Sequence, residues 1–101
     1  MNNGVIGYTD EQLHMRHVCL NLANFVIEKN MRYGNSALSP LRIFCKGEKP
    51  ISDSILERMD DKLSRIKNSD KLRKNDVVDL MGYLVLLCVK NGWTDFTDLV
   101  D

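Results

Sequence analysis

The pattern of apolar and polar positions along the chain predicts helices. The most apolar stretch covers residues 73–91, where a polar start is followed by an almost unbroken apolar run. Apolar residues between 10 and 31 recur at helical spacing. A third group lies at i, i+4, i+8 and i+11 and consists of Ile55, Met59, Leu63 and Ile66. Because such spacing puts apolar side chains on one side of a helix, we predict helix one over 10–31, helix two over 52–68 and helix three over 73–91.

Local signals predict where the helices begin. Thr9 and Gln12 match a capping box, in which two side chains satisfy free amides in the first turn of a helix. Ser52 or Ser54 is predicted to cap helix two, and Ser54 with Glu57 three positions later is a second capping-box match.

The remaining segments predict turns and a short terminal helix. Gly92 fits the left-handed position that closes a helix. Residues 32–40 are rich in glycine, proline and small polar residues and predict a structured loop. A short helical turn is expected over 41–45, and a final turn over 94–99 with Thr94 as its cap. The predicted fold class is all-α, a small bundle of three main helices plus short terminal and loop helices.

The length of the chain predicts one domain that is completed by oligomerisation. A chain of 101 residues buries only about two thirds of the surface that its unfolded form exposes. The apolar run over 84–89 exceeds what two covering helices bury. We therefore expect a single all-α domain over 1–101 that forms a homodimer or homotetramer.

Charge and cysteine content exclude some classes of function. Lys and Arg number 14 and equal Asp and Glu, so the chain lacks the overall positive field of a general nucleic-acid binder. Cys19, Cys45 and Cys88 match neither a disulfide framework nor a paired zinc motif and are expected to be reduced core residues. No stretch reaches the roughly 18 apolar residues of a membrane span. We expect a cytoplasmic protein without a membrane partner.

Two groups of acidic residues are candidates for metal binding. Asp76, Asp79 and Tyr83 share one face of helix three, and a second group on helix two consists of Glu57, Asp60 and Asp61. Clustered carboxylates are the ligands that Mg²⁺ prefers. The alternative is structural, since acids in the first turn of a helix are favoured by its dipole and those of helix two could form a solvated face.

The segment that ends helix one is a candidate for ligand binding. It combines cations, an aromatic ring and polar donors, namely Lys29, Arg32, Tyr33, Asn35 and Ser36. A base could stack there and a phosphate could be held. The alternative is an ordinary helix-ending turn in which Gly34 takes a positive φ.

Other polar residues have less specific patterns. Lys62 and Arg65 could point at the same pocket or could extend over apolar surface. His14 and His17 could be a metal pair, but two histidines do not supply the four ligands of a zinc site, so partly exposed helix residues are the simpler interpretation.

Three segments resemble a known family. Residues 29–36, 61–66 and 76–83 resemble the nucleotide-modification-associated domains of phages and bacteria, over about residues 10–91. That family is similar in turn to the all-α nucleoside triphosphate pyrophosphohydrolases of the MazG and dUTPase type, whose helices carry an ExxE and an ExxD element around magnesium.

The resemblance implies a site and an activity. Asp76 and Asp79 match the ExxD pair with Asp in the first place. The full EExxE signature is missing, so Glu57 with Asp60 or Asp61, or alternatively Glu28, would have to replace it. The implied cofactor is Mg²⁺ or Mn²⁺, and the implied reaction is hydrolysis of a nucleoside triphosphate, canonical or modified, at the α-phosphorus. The implied catalytic residues are Asp76, Asp79, Glu57 and Asp61. The implied substrate-binding residues are Lys29, Arg32, Tyr33, Asn35, Ser36, Lys62, Arg65 and Tyr83.

Two alternatives do not involve catalysis. A chain that kept the nucleotide pocket but lost half of the metal ligands could sequester a nucleotide signal, or could bind and inhibit a host defence protein in the host cytoplasm. A helical scaffold whose acids are only caps is the third interpretation.

Overall fold

Three α-helices form the fold. A computed structural model describes residues 7–35, 38 and 50–100. Within these residues the elements are α1 (Asp10–Tyr33), α2 (Ile51–Asn68), α3 (Lys74–Lys90) and a 3₁₀ turn, η1 (Thr97–Leu99). No strand occurs in these ranges, so the all-α prediction is confirmed for them. The predicted turn over 41–45, like Ser36 and Cys45, lies outside the described residues.

The capping box predicted for α1 is present. The Thr9 hydroxyl accepts from the Gln12 backbone N–H at 3.1 Å, and the Gln12 side chain accepts from the Thr9 N–H at 2.8 Å. The helix ends at Tyr33, two residues beyond the prediction, and Gly34 follows at φ +67°. Because this left-handed region strains residues that carry a Cβ atom, glycine is the residue suited to this helix end.

The cap predicted for α2 is wrong. The helix begins at Ile51 after Pro50, and no side chain caps it. Ser54 lies inside the first turn, where its N–H donates to the Pro50 carbonyl at 3.2 Å. The fixed φ of proline, −54° here, starts the helix before either serine reaches a cap position.

The end of α3 follows the predicted glycine signal. Gly92 has φ +73°. The Trp93 N–H donates to the Cys88 carbonyl at 2.9 Å, and the Gly92 N–H to the Val89 carbonyl at 3.1 Å. These two bonds form a Schellman motif, which satisfies carbonyls that the helix leaves free.

The cap predicted for the terminal turn is wrong, because Phe96 occupies the cap position and no side chain caps the turn. One oxygen of Asp95, rather than Thr94, accepts from the Thr97 N–H and hydroxyl at 3.0 and 2.9 Å. These bonds lower the pKa of the Asp95 carboxyl.

Packing is strongest between α2 and α3. Lys62 in the second half of α2 meets Asp79 in the first half of α3, as an antiparallel hairpin requires. Ile55 of α2 is buried, at 1% exposure, and Leu63 of the predicted stripe is half exposed. The stripe is therefore only partly buried in one copy of the chain.

α1 lies against α3 with few contacts, and none of its residues is buried. At Gly82 of α3, a Cβ atom would meet Val26 of α1 at 3.7 Å, so this is where the two helices approach each other. No helix of the described ranges has the length and apolar character needed to cross a membrane.

Candidate functional site

Asp79 joins all three helices. Its Oδ2 accepts from Lys62 Nζ of α2 at 2.9 Å, and its Oδ1 lies 3.3 Å from Lys29 Nζ of α1. The side chains of Lys62 and Asp79 are 13% and 18% exposed, whereas that of Lys29 is 50% exposed. Asp79 therefore has one sheltered partner and one partner that solvent reaches.

The charge of Asp79 is stabilised by these partners. Burial on its own would raise the pKa of the carboxyl, but hydrogen bonds from Lys62 and Lys29, with the charges of both lysines, lower it below its ordinary value. The carboxylate stays ionised at neutral pH, and its charge is already compensated.

A cavity of about 330 Å³ lies between α1 and α3, next to Asp79. This volume is near the lower end of the roughly 300–1,000 Å³ typical of small-molecule sites. The described residues that line it are Phe25, Val26, Lys29, Asn30, Tyr33, Gly34, Arg58, Asp79, Gly82, Tyr83 and Leu86. These residues combine aromatic side chains and two cations with a single carboxylate.

The α1 wall of the cavity follows from helical spacing. Phe25, Lys29 and Tyr33 are four residues apart and so share one face of the helix. The Lys29 ammonium lies 5.0 Å from the centre of the Phe25 ring, within cation–π range. This wall therefore presents two rings with a cation between them.

Three of the predicted ligand-binding residues, Lys29, Tyr33 and Tyr83, line the cavity. Two others have partners elsewhere on the helix end. Arg32 donates to Glu28 at 2.8 Å, and the Asn35 amide oxygen accepts from Asn30 at 3.0 Å.

The predicted residues of α2 are placed differently. Lys62 binds Asp79, while Arg65 is exposed and is not among the described residues that line the cavity. Glu57, Asp60 and Asp61 are exposed on α2.

The predicted magnesium ligands are not gathered into one group among the residues that the structure describes. Both oxygens of Asp79 are engaged by lysines, and Asp76 is only 3% exposed. Within residues 7–35, 38 and 50–100, no three His, Cys, Asp or Glu side chains form a group that could hold a metal ion. Mg²⁺ is usually held by one or two carboxylates together with waters and substrate phosphates, so the Mg²⁺ or Mn²⁺ site stays a prediction.

Three polar or aromatic residues that line the cavity were not predicted as site residues: Phe25, Asn30 and Arg58. Phe25 belongs to the apolar pattern of helix one, and its four-residue spacing to Lys29 is the signal that could have placed it in the cavity. No sequence pattern indicated Arg58, because it reaches the cavity from α2, whose position depends on tertiary packing.

No family model, curated protein or solved structure matches this chain. The resemblance to nucleotide-modification-associated domains and to MazG-type hydrolases therefore stays a prediction.

Proposed function

We propose that the protein binds a nucleotide in the cavity between α1 and α3 and does not turn it over. The observation that carries this proposal is the composition of the cavity, which has three aromatic side chains, two cations and one carboxylate already paired with lysines.

The aromatic side chains support the base-binding half of the proposal. Phe25 and Tyr33 line the α1 wall, and Tyr83 belongs to α3. A base stacked on an aromatic side chain gains about 1–3 kcal/mol. A planar base can stack on these rings, whereas a simple inorganic anion cannot.

The cations support the phosphate-binding half. Lys29 and Arg58 line the same cavity, and a guanidinium can hold phosphate oxygens through two parallel hydrogen bonds. A nucleoside monophosphate or diphosphate carries both groups, and the small volume favours such a ligand over a larger dinucleotide.

Calorimetry with adenine, guanine, cytosine and thymine nucleotides in EDTA tests the proposal. We expect binding without a metal ion. Arg58→Ala should weaken binding by roughly tenfold or more, because a hydrogen bond to a charged group contributes about 1.5–3 kcal/mol. Arg65→Ala is the matched control, since Arg65 lies seven residues later on α2 but does not line the cavity.

Equal losses for Arg58→Ala and Arg65→Ala would contradict the cavity as the binding site. If no nucleotide binds at any concentration tested, the proposal fails, and a role in binding a host protein becomes the stronger alternative.

A Mg²⁺-dependent pyrophosphohydrolase is the second candidate. The observation that favours it is that Asp79 lines the cavity and Asp76 lies one turn earlier on α3. Its test is release of pyrophosphate from nucleoside triphosphates with Mg²⁺ or Mn²⁺. Turnover that is abolished by Asp79→Asn would favour this candidate over simple binding.

A further inference from the structure

The face of α1 that points away from α3 is apolar along most of its length. Val26 approaches α3 at Gly82 and Lys29 binds Asp79, so these two residues mark the side of α1 that faces α3. At 3.6 residues per turn, a stripe of six other residues falls on the opposite side. We call it the α1 stripe: Leu13, His17, Leu20, Asn24, Ile27 and Met31.

The stripe has the spacing of a helix-pairing seam. Leu13, Leu20 and Ile27 are seven residues apart, and His17, Asn24 and Met31 form a second series of seven, offset by four. This 3–4 alternation is the heptad pattern by which two helices pack side by side. One asparagine within such a seam is a known determinant of register between paired helices.

The stripe is largely uncovered in one copy of the chain. Leu20, Ile27 and Met31 are 55%, 57% and 73% exposed, and α1 has no buried residue. A helix with apolar residues on two sides requires a second packing partner.

A second copy of the chain matches the stripe. It carries the same heptad series on its own α1 helix, so two stripes can pair symmetrically with like residues opposite each other.

We propose that the α1 stripe pairs with the α1 stripe of a second copy of this chain. The inference is independent of the nucleotide proposal, because the cavity lies on the other side of α1 and stays open when the stripes pair.

Sedimentation velocity over a range of protein concentrations tests the pairing. We expect the unmodified chain to be a dimer. Leu20→Glu and Ile27→Glu should each raise the dimer dissociation constant by at least about a hundredfold, because each change removes a buried side chain twice per dimer. Met15→Glu is the matched control, because Met15 is 65% exposed but lies on the other side of α1, and it should leave dimerisation unchanged.

Asn24→Leu tests the pairing without dissociating the protein. Since a polar residue within the seam lowers the stability of helix pairing, this substitution should lower the dissociation constant. A monomeric unmodified chain at all concentrations, or equal effects of Leu20→Glu and Met15→Glu, would overturn the proposal. A monomer that Leu20→Glu destabilises would mean that the chain covers the stripe with its own residues.

Discussion

The two lysines bound to Asp79 should differ in what they contribute to stability. Lys62 and Lys29 contact the same carboxylate, but Lys62 is 13% exposed at 2.9 Å and Lys29 is 50% exposed at 3.3 Å. Replacing each in turn by methionine keeps the apolar stem, which packs along the protein surface, and removes only the charge and its hydrogen bond.

The magnitudes follow from this difference. A hydrogen bond to a charged group contributes about 1.5–3 kcal/mol, and Lys62→Met leaves the sheltered Asp79 with Lys29 alone, so we expect a loss of about 2 kcal/mol. Exposed ion pairs contribute about 0.2–1 kcal/mol, which is the expected loss for Lys29→Met. For a domain of this size the larger change corresponds to a fall in Tm of roughly 8–16 °C.

Urea unfolding at pH 7, followed by circular dichroism, measures both values. All variants must be compared at one protein concentration, because association stabilises the folded state. A loss for Lys29→Met that equals or exceeds the loss for Lys62→Met would refute the argument that shelter from solvent decides the strength of the two contacts.

Three further outcomes are expected. The pKa of Asp79 is lowered in the folded state, so the ionised carboxylate stabilises the fold above the unfolded pKa of about 3.9, and this contribution is lost as the pH falls through the lower folded pKa. In unfolding experiments, the difference in unfolding free energy between the unmodified chain and Asp79→Asn should therefore stay constant from pH 7 to about 5 and shrink below about 4. Ile55→Ala should lower the free energy of unfolding by about 2–5 kcal/mol, because Ile55 is 1% exposed. Leu56→Ala should lower it clearly less, because Leu56 is 46% exposed. Similar losses for the two variants in urea unfolding would contradict the assignment of Ile55 to the core. Gly82→Ala should raise the free energy of unfolding by about 0.5–1 kcal/mol, because alanine favours the helix over glycine and the new methyl group would meet Val26 at an ordinary 3.7 Å. A lower Tm would show that α1 approaches α3 more closely than this distance.

Features that depend on neighbouring residues were predictable from the sequence. The capping box of Thr9 and Gln12 and the closing role of Gly92 involve groups within a few residues, so their chemistry can be recognised from spacing alone. The cap of α2 was mispredicted because Pro50 starts the helix earlier, and a serine pattern does not reveal that competition.

Features that depend on packing were not predictable in the same way. Lys29 lies 50 residues from Asp79 in the chain, and only the approach of α1 to α3 joins them. The sequence predicted Asp79 as a metal ligand. In the structure its carboxylate is paired with Lys29 and Lys62. Arg58 enters the cavity for the same reason, through the position of α2.

Lys29 also has two roles that compete with each other. It neutralises Asp79 and it lines the cavity, so a phosphate that binds as proposed would have to draw Lys29 away from this carboxylate. Asp79 would then compete with the phosphate for Lys29, and Lys62 would keep the charge of Asp79 compensated. Asp79→Asn should then give a less stable protein that binds anions more tightly. A hydrolase that depends on this carboxylate would instead lose its activity on the same substitution.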